Sequence, residues 1–138
     1  VKEEGDLLIT STLQLQTDLN RLSMMTDSLW DTTSFTLNQL LPSDFPSIDR
    51  KLLLEARNAD HIQMFMSYTS LPPEVQSFVQ QAGHQDSLLS VKMLSLQTQI
   101  NTLQKARISF LAKMAKTHPD LYQYYADQFK AIDKPKSY

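Results

Sequence analysis

Asp27 and Asp31 stand one helical turn apart, a spacing at which two carboxylates on one face can share a proton or a cation. They are the only pairing in the sequence that suggests acid/base work, and the helix around them is otherwise rich in solvated acids. Plain surface is therefore the expected reading. The three histidines invite a metal reading, since His61 adjoins Asp60, His84 lies near Asp86 and His118 near Asp120. A helical metal site needs ligands about four apart on one face. None of these histidines has such a partner, so surface or capping roles are expected and neither a metal nor another cofactor is implied. Cysteine is absent, and so are a G-x-S-x-G elbow and a glycine-rich phosphate loop. The sequence does not read as an enzyme.

Arg107 is the most informative single charge. It interrupts an otherwise apolar series, Leu89, Met93, Leu96, Ile100, Leu103, Phe110 and Met114, whose steps alternate between four and three. A guanidinium buried without a partner costs several kcal/mol. A salt bridge to an acid of the first helix, or snorkelling to the surface, would answer it. The sharper reading is an anion-contact position between helices, with Arg21 or Lys105 as companions.

Two apolar clusters exceed what one core face can use. In Met64-Phe65-Met66, beside Tyr68, three consecutive side chains cannot all face one core. Tyr122 and Tyr124, near Tyr125 and Phe129, point roughly 160° apart on a helix. Met64, Phe65, Met66, Tyr122 and Tyr124 are therefore the candidates for contact with a protein partner, since methionine and tyrosine are favoured at such surfaces.

The elements that must carry these residues follow from composition and spacing. Only two glycines occur in 138 residues, against a usual share of roughly 7%. Few positive-φ turns are then available, which disfavours an all-β fold. The segment from about Asp6 to Leu41 carries Leu8, Leu15, Leu22 and Leu29 at steps of seven. Leu19, Met25 and Phe35 widen this stripe; Trp30, Leu37, Leu40 and Leu41 extend it. Thr32-Thr33-Ser34 weakens helix propensity, consistent with a kink or break. Pro42 ends the helix, Ser43 or Ser47 can cap the next, and Phe45 should tuck against the bundle end.

A second helix is expected from about Ser47 to Tyr68, with Leu52, Leu53, Ala56, Ala59 and Met64 near one side and Ile48, Ile62, Phe65 and Met66 broadening it. Leu71-Pro72-Pro73-Glu74 then starts a short helix with Val75, Phe78 and Val79 as its sticky face, ended by Gly83 in the left-handed conformation. The long helix from about Asp86 to Lys116 carries the Arg107 seam. A second apolar set on it, Val91, Leu94, Ile108, Leu111 and Ala115, implies more than one neighbour. Thr117-His118-Pro119-Asp120 resembles a capping box. It opens a last helix using Leu121, Tyr125, Phe129 and Ile132, with residues 134–138 as a frayed tail. The reading is a single all-α domain over residues 1–138. It is an antiparallel helical bundle of two long helices, one medium and two short.

One phrase is written nearly twice. Residues 13–22 read LQLQTDLNRL and residues 94–103 read LSLQTQINTL, each preceded at the same interval by a leucine pair, Leu7-Leu8 and Leu88-Leu89. The first, third, seventh and tenth places of the phrase are apolar and approximate one side of a helix. The two long helices are thus expected to share a core.

Net charge is −2, too small for a nucleic-acid surface. Its distribution is uneven: Val1 to Asp49 holds eight acids against Lys2 and Arg21, whereas Ser87 to Pro119 holds no acid but Lys92, Lys105, Arg107, Lys113 and Lys116. Pairing of the acidic first helix with the basic fourth is expected, with an anionic partner or membrane surface as the alternative. No run reaches the roughly 18 apolar residues of a membrane span. The first residue is Val1, which reads as a processed or excised start; an extracytoplasmic or periplasmic setting is favoured on that ground, with membrane attachment only through segments not present. The functional expectation is a non-enzymatic helical interaction module, an accessory or adaptor subunit with a protein partner or self-association. The alternative is an extracytoplasmic ligand-sensing bundle of a membrane receptor that binds a small anion.

Overall fold

The computed structural model describes residues 1–68 and 70–133. The expected tail, with Pro135, lies outside the described residues, as does the side chain of Tyr68. Five α-helices follow one another: α1 (Lys2–Leu40), α2 (Ser47–Leu54), α3 (Ala59–Tyr68), α4 (Pro73–Thr117) and α5 (Pro119–Asp133), with no strand among the described residues. The fold is an all-α antiparallel helical bundle with two long helices, α1 and α4, the medium α5 and the short α2 and α3. Among the described residues no helix is long and apolar enough to cross a membrane.

Two joints fall elsewhere than the sequence suggests. The expected helix from Ser47 to Tyr68 is cut at Glu55–Asn58 into α2 and α3. Asn58 is the reason: its Oδ1 accepts the His61 backbone N–H at 2.9 Å, while Arg57 N–H is donated to His61 Nδ1 at 3.2 Å. Together they form a reciprocal cap that opens α3. Ser34 holds the other side of the break by donating to the Leu54 carbonyl at 2.8 Å. Conversely, the expected short helix ending at Gly83 does not end there. α4 starts at Pro73 and runs through Gly83 to Thr117, and no glycine adopts positive φ. A mid-helix glycine costs about 1 kcal/mol relative to alanine, too little to break a helix that buries Val79 and Ala82 before it and Asp86 after it. A Cβ at Gly83 would meet only Ala59 Cβ, at 3.7 Å. Gly83→Ala is therefore expected to raise unfolding free energy by about 0.5–1 kcal/mol, measured by urea denaturation.

Smaller corrections concern caps. Pro46, not Ser43 or Ser47, precedes α2, and no side-chain cap hydrogen bond forms there. Thr117 does not cap α5; its hydroxyl donates back to Lys113 O at 2.8 Å, and His118 O instead receives the first amides of α5, from Leu121 and Tyr122. α1 is unbroken at Thr32–Ser34 because the hydroxyls are used: Thr33 bonds Leu29 O and Ser34 bonds Leu54 O.

The described residues form two compact units. Unit 1 combines Val1–Asn20 with the chain from Leu94 onward; unit 2 is Arg21–Met93. In unit 2, Trp30, Leu37, Leu41, Leu53, Ile62, Leu71, Val75 and Val79 form the core, with Phe45, Phe65 and Met66 packed against it. Here α1 and α4 run antiparallel: Thr26 Oγ1 meets Met93 Sδ at 3.8 Å, and Trp30 Nε1 donates to Asp86 Oδ1 at 2.9 Å. The Asp86 carboxylate is 7% exposed and also accepts the Ala59 amide at the start of α3, where the helix dipole favours negative charge.

In unit 1, Phe110, Met114, Tyr125 and Phe129 are buried together, with Leu8, Ile9, Leu111, Leu121 and Ile132 around them. Phe110 meets Tyr125 edge-on at 5.2 Å between ring centroids, a favoured aromatic geometry. The seam of α4 faces inward as expected, from Leu89 to Met114. The second apolar set does not find a second neighbour: Val91, Leu94 and Ile108 are about two-thirds exposed, Ala115 is exposed, and only Leu111 packs inward. Met25, Phe35, Leu40, Ile48, Leu52 and Met64 are likewise exposed rather than in the stripes assigned to them.

Candidate functional site

The repeated phrase is a repeated burial pattern. Leu13 and Leu94 are exposed; Leu15 and Leu96 are half-buried; Leu19 is half-buried where Ile100 is buried; Leu22 and Leu103 are half-buried. The flanking pairs agree, with Leu7 and Leu88 exposed and Leu8 and Leu89 half-buried. The first place of the phrase is thus a solvent position, not part of the inward side as expected. The third, seventh and tenth places carry the core contact.

In unit 1 the two helices border a groove of about 640 Å³. α1 contributes Thr10, Ser11, Gln14 and Leu15; α4 contributes Thr98, Gln99, Thr102 and Leu103. The opposite side of the pair is occupied by α5. Gly5 of α1 abuts Tyr125, and Gln16 donates to Ile132 O at 3.1 Å. On α4, Arg107 holds Asp133. At about 100° per residue, Gln14 lies opposite Gly5, and Thr98 lies opposite Arg107. The α1–α4 pair is therefore covered by α5 on one side and grooved on the other. Glu4 and Lys113 form an ion pair of 3.7 Å within this same unit, so α1 and α4 run antiparallel here as well. Both partners are about half exposed, and such a pair contributes little to stability.

Arg107 is 5% exposed, and the acid that answers it is on α5 rather than on the first helix. Nη1 donates to Oδ1 of Asp133 and Nη2 to both carboxylate oxygens, each at 3.1 Å, and the guanidinium carbon sits 5.4 Å from the Phe129 ring centroid. Its Nε is buried with no hydrogen-bond partner among the described residues. Lys105 is exposed while Arg107 is buried, so α4 does not bring the two together; Arg21 belongs to unit 2.

No family model matches the chain, and no curated protein or solved structure is similar to it. What the site can do must be read from its own residues.

Of the partner-contact candidates, Met64 is 63% exposed, Tyr124 53% and Tyr122 37%, whereas Phe65 and Met66 pack against the core of unit 2. Met66 also lines a cavity of about 300 Å³ between α3 and α4, with Ile62, Val79, Gly83 and His84. Asp27 and Asp31 hold Arg57, Asp31 at 2.6 Å and Asp27 at 3.8 Å. They thus stand as a surface clasp between α1 and the α2–α3 joint. His61 serves the α3 cap, His118 bonds Thr117, and among the described residues no three metal-ligating side chains come together.

Sequence reasoning missed the groove residues. Thr, Ser and Gln at these positions have the composition of ordinary surface, and the doubled phrase does not reveal them. Its matching positions put Val91, Lys92, Ser95 and Leu96 against Thr10, Ser11, Gln14 and Leu15, and none of those four lies on the opposite wall. It also missed Asp86, whose indole partner is distant in sequence.

Tyr125 ties α5 to α1. Its hydroxyl lies 3.0 Å from Asp6 Oδ1 and 3.1 Å from Lys2 O, and its single proton is shared between these acceptors. Burial foremost, then the hydrogen bond and negative charge of Asp6, with a push from Tyr124, hold the phenol above its ordinary value of 10.0. The folded state thus favours the protonated form. Its contribution to stability is complete below about pH 10 and is lost as pH climbs beyond that value. In urea titrations across the alkaline range, Tyr125→Phe should lose about 1 kcal/mol at neutral pH and show a shallower alkaline decline than the parent chain.

Proposed function

We propose that the chain is a non-enzymatic helical interaction module, an accessory or adaptor subunit that binds another protein through the uncovered side of the α1–α4 pair in unit 1. One observation carries this reading: α5 covers one side of that pair, and the other side holds a groove floored by Leu15 and Leu103 and rimmed by hydroxyls and amides. Two antiparallel helices with an open apolar seam are the usual receptor for a further amphipathic helix, which completes the bundle core. Exposed Leu7, one turn before Thr10 and Ser11, and Leu94, one turn before Thr98, add apolar surface beside the groove. The sensor reading gains no such support, because the charge of Arg107 is already met by Asp133.

The test uses fluorescently labelled amphipathic helical peptides of neutral, acidic and basic polar face. Saturable binding to the full chain, weakened by Thr102→Lys, is expected. Absence of binding by every peptide, together with absence of self-association, would overturn the proposal.

A further inference from the structure

The geometry points to a second copy of this chain as the occupant of the groove, forming a closed two-fold dimer in which two α1–α4 pairs build one four-helix core. The inference rests on the interaction reading above and names its partner. Identical surfaces that meet across a two-fold axis must not oppose like charges. The groove satisfies this, since Thr10, Ser11, Gln14, Thr98, Gln99 and Thr102 are all uncharged. The Thr10, Thr98 and Thr102 hydroxyls donate to carbonyls of their own helices and keep lone pairs that accept, while Gln14 and Gln99 each bond within their helix through one amide hydrogen and keep a second to donate. Each wall can thus hydrogen-bond with its own copy, whereas a lysine or carboxylate wall could not. Ser11, Thr98 and Thr102 are also small enough for helices to approach closely, with Leu15 and Leu103 interdigitating beneath them.

The charge flanking the groove selects the orientation. At about 100° per residue, Glu3 and Asp18 lie on the Gln14 side of α1 and Lys105 and Lys116 on the Thr98 side of α4, whereas Asp6 and Arg107 face α5 and take no part. Each copy's α1 should accordingly lie against the other's α4, opposing unlike charge, because α1 against α1 would place acid on acid. The Glu4–Lys113 pair within one chain is the same attraction on a smaller scale.

Light scattering on the full chain over a concentration series tests this. A mass approaching twice that of the monomer is expected at high micromolar concentration. Thr102→Lys should weaken dimerisation by about tenfold or more, because a long charged side chain must then be desolvated between the two closely packed walls. Gln14→Lys on the opposite wall should do the same, and circular dichroism should show that helix content is retained in both. Ile108→Lys, at an exposed position of α4 turned at least about 80° from each of its groove residues, should leave the dimer unchanged. A monomeric mass at every concentration would overturn the inference, while peptide binding would then still decide the broader interaction reading. A dimer that survives Thr102→Lys and Gln14→Lys but is lost on Ile108→Lys would overturn it as well and move the interface to the outer face of α4.

Discussion

Gly5→Ala should destabilise the protein, although alanine is the better helix former. A Cβ at this position would press into Tyr125, with Cε1 and Cζ as its nearest atoms, the latter at 2.6 Å, and would stand 2.9 Å from Phe110 Cζ. Neither ring has room to withdraw. Tyr125 is 1% exposed and Phe110 2%, and the Tyr125 hydroxyl is tethered to Lys2 and Asp6 on the same helix that would push it away. Helix propensity returns at most about 1 kcal/mol near a helix start, whereas forced overpacking of a filled core costs typically about 1–3 kcal/mol and occasionally more. The net expectation is a loss of about 2 kcal/mol, or roughly 5–10 °C in Tm for a chain of this size. Near-ultraviolet tyrosine dichroism should change with it. Trp30, in unit 2, should keep its native fluorescence, which distinguishes a local failure of α5 docking from general misfolding. Unchanged or raised stability would mean that α5 does not pack against Gly5.

Asp133→Ala and Arg107→Leu should move stability in different directions although they remove the same ion pair. Asp133→Ala strips a guanidinium that is 6% exposed of all three of its hydrogen bonds and leaves it against Phe129. Breaking a fully buried pair from one side costs about 3–5 kcal/mol. Asp133 is 47% exposed, so water can enter and a loss of about 2 kcal/mol is expected. Arg107→Leu removes the charge and the orphaned Nε together, and its leucine continues the seam of Ile100, Leu103, Phe110 and Met114. Its effect should lie between neutral and about 1 kcal/mol stabilising. The double variant should resemble Arg107→Leu alone, since Asp133 is then merely a surface acid. A ruinous Arg107→Leu would show that the guanidinium does more than hold α5.

These contrasts explain what the sequence could convey. The seams of α1 and α4 were legible because helical packing leaves a spacing of three and four, and nothing else in the chain imitates it over that length. The role of Arg107 as a paired core charge was legible from its place in the seam. Its partner was not, because Asp133 is brought to it by the reversal at His118–Pro119, not by sequence distance. Gly83 misled because glycine stops helices only when the chain uses its positive φ, and here the flanking burial of Val79, Ala82 and Asp86 keeps it helical. The cut at Asn58 was hidden for the opposite reason: its capping signal is a short polar run inside an apolar pattern that reads straight through. Exposed Val91, Leu94 and Ile108 looked like a second core face. Periodicity reports that a stripe exists, not whether anything covers it. The groove was not legible, since its hydroxyl and amide walls have the composition of ordinary surface and do not fall at matching places of the doubled phrase.

Concentration-dependent methyl resonances offer the most direct measurement on the groove. With leucine and isoleucine methyls labelled in the full chain, Leu15 and Leu103 should shift as concentration rises, while Leu111 and Ile132, packed around α5, should stay fixed. Shifts confined to Ile108, or resonances that never move, would contradict self-association through the groove between α1 and α4.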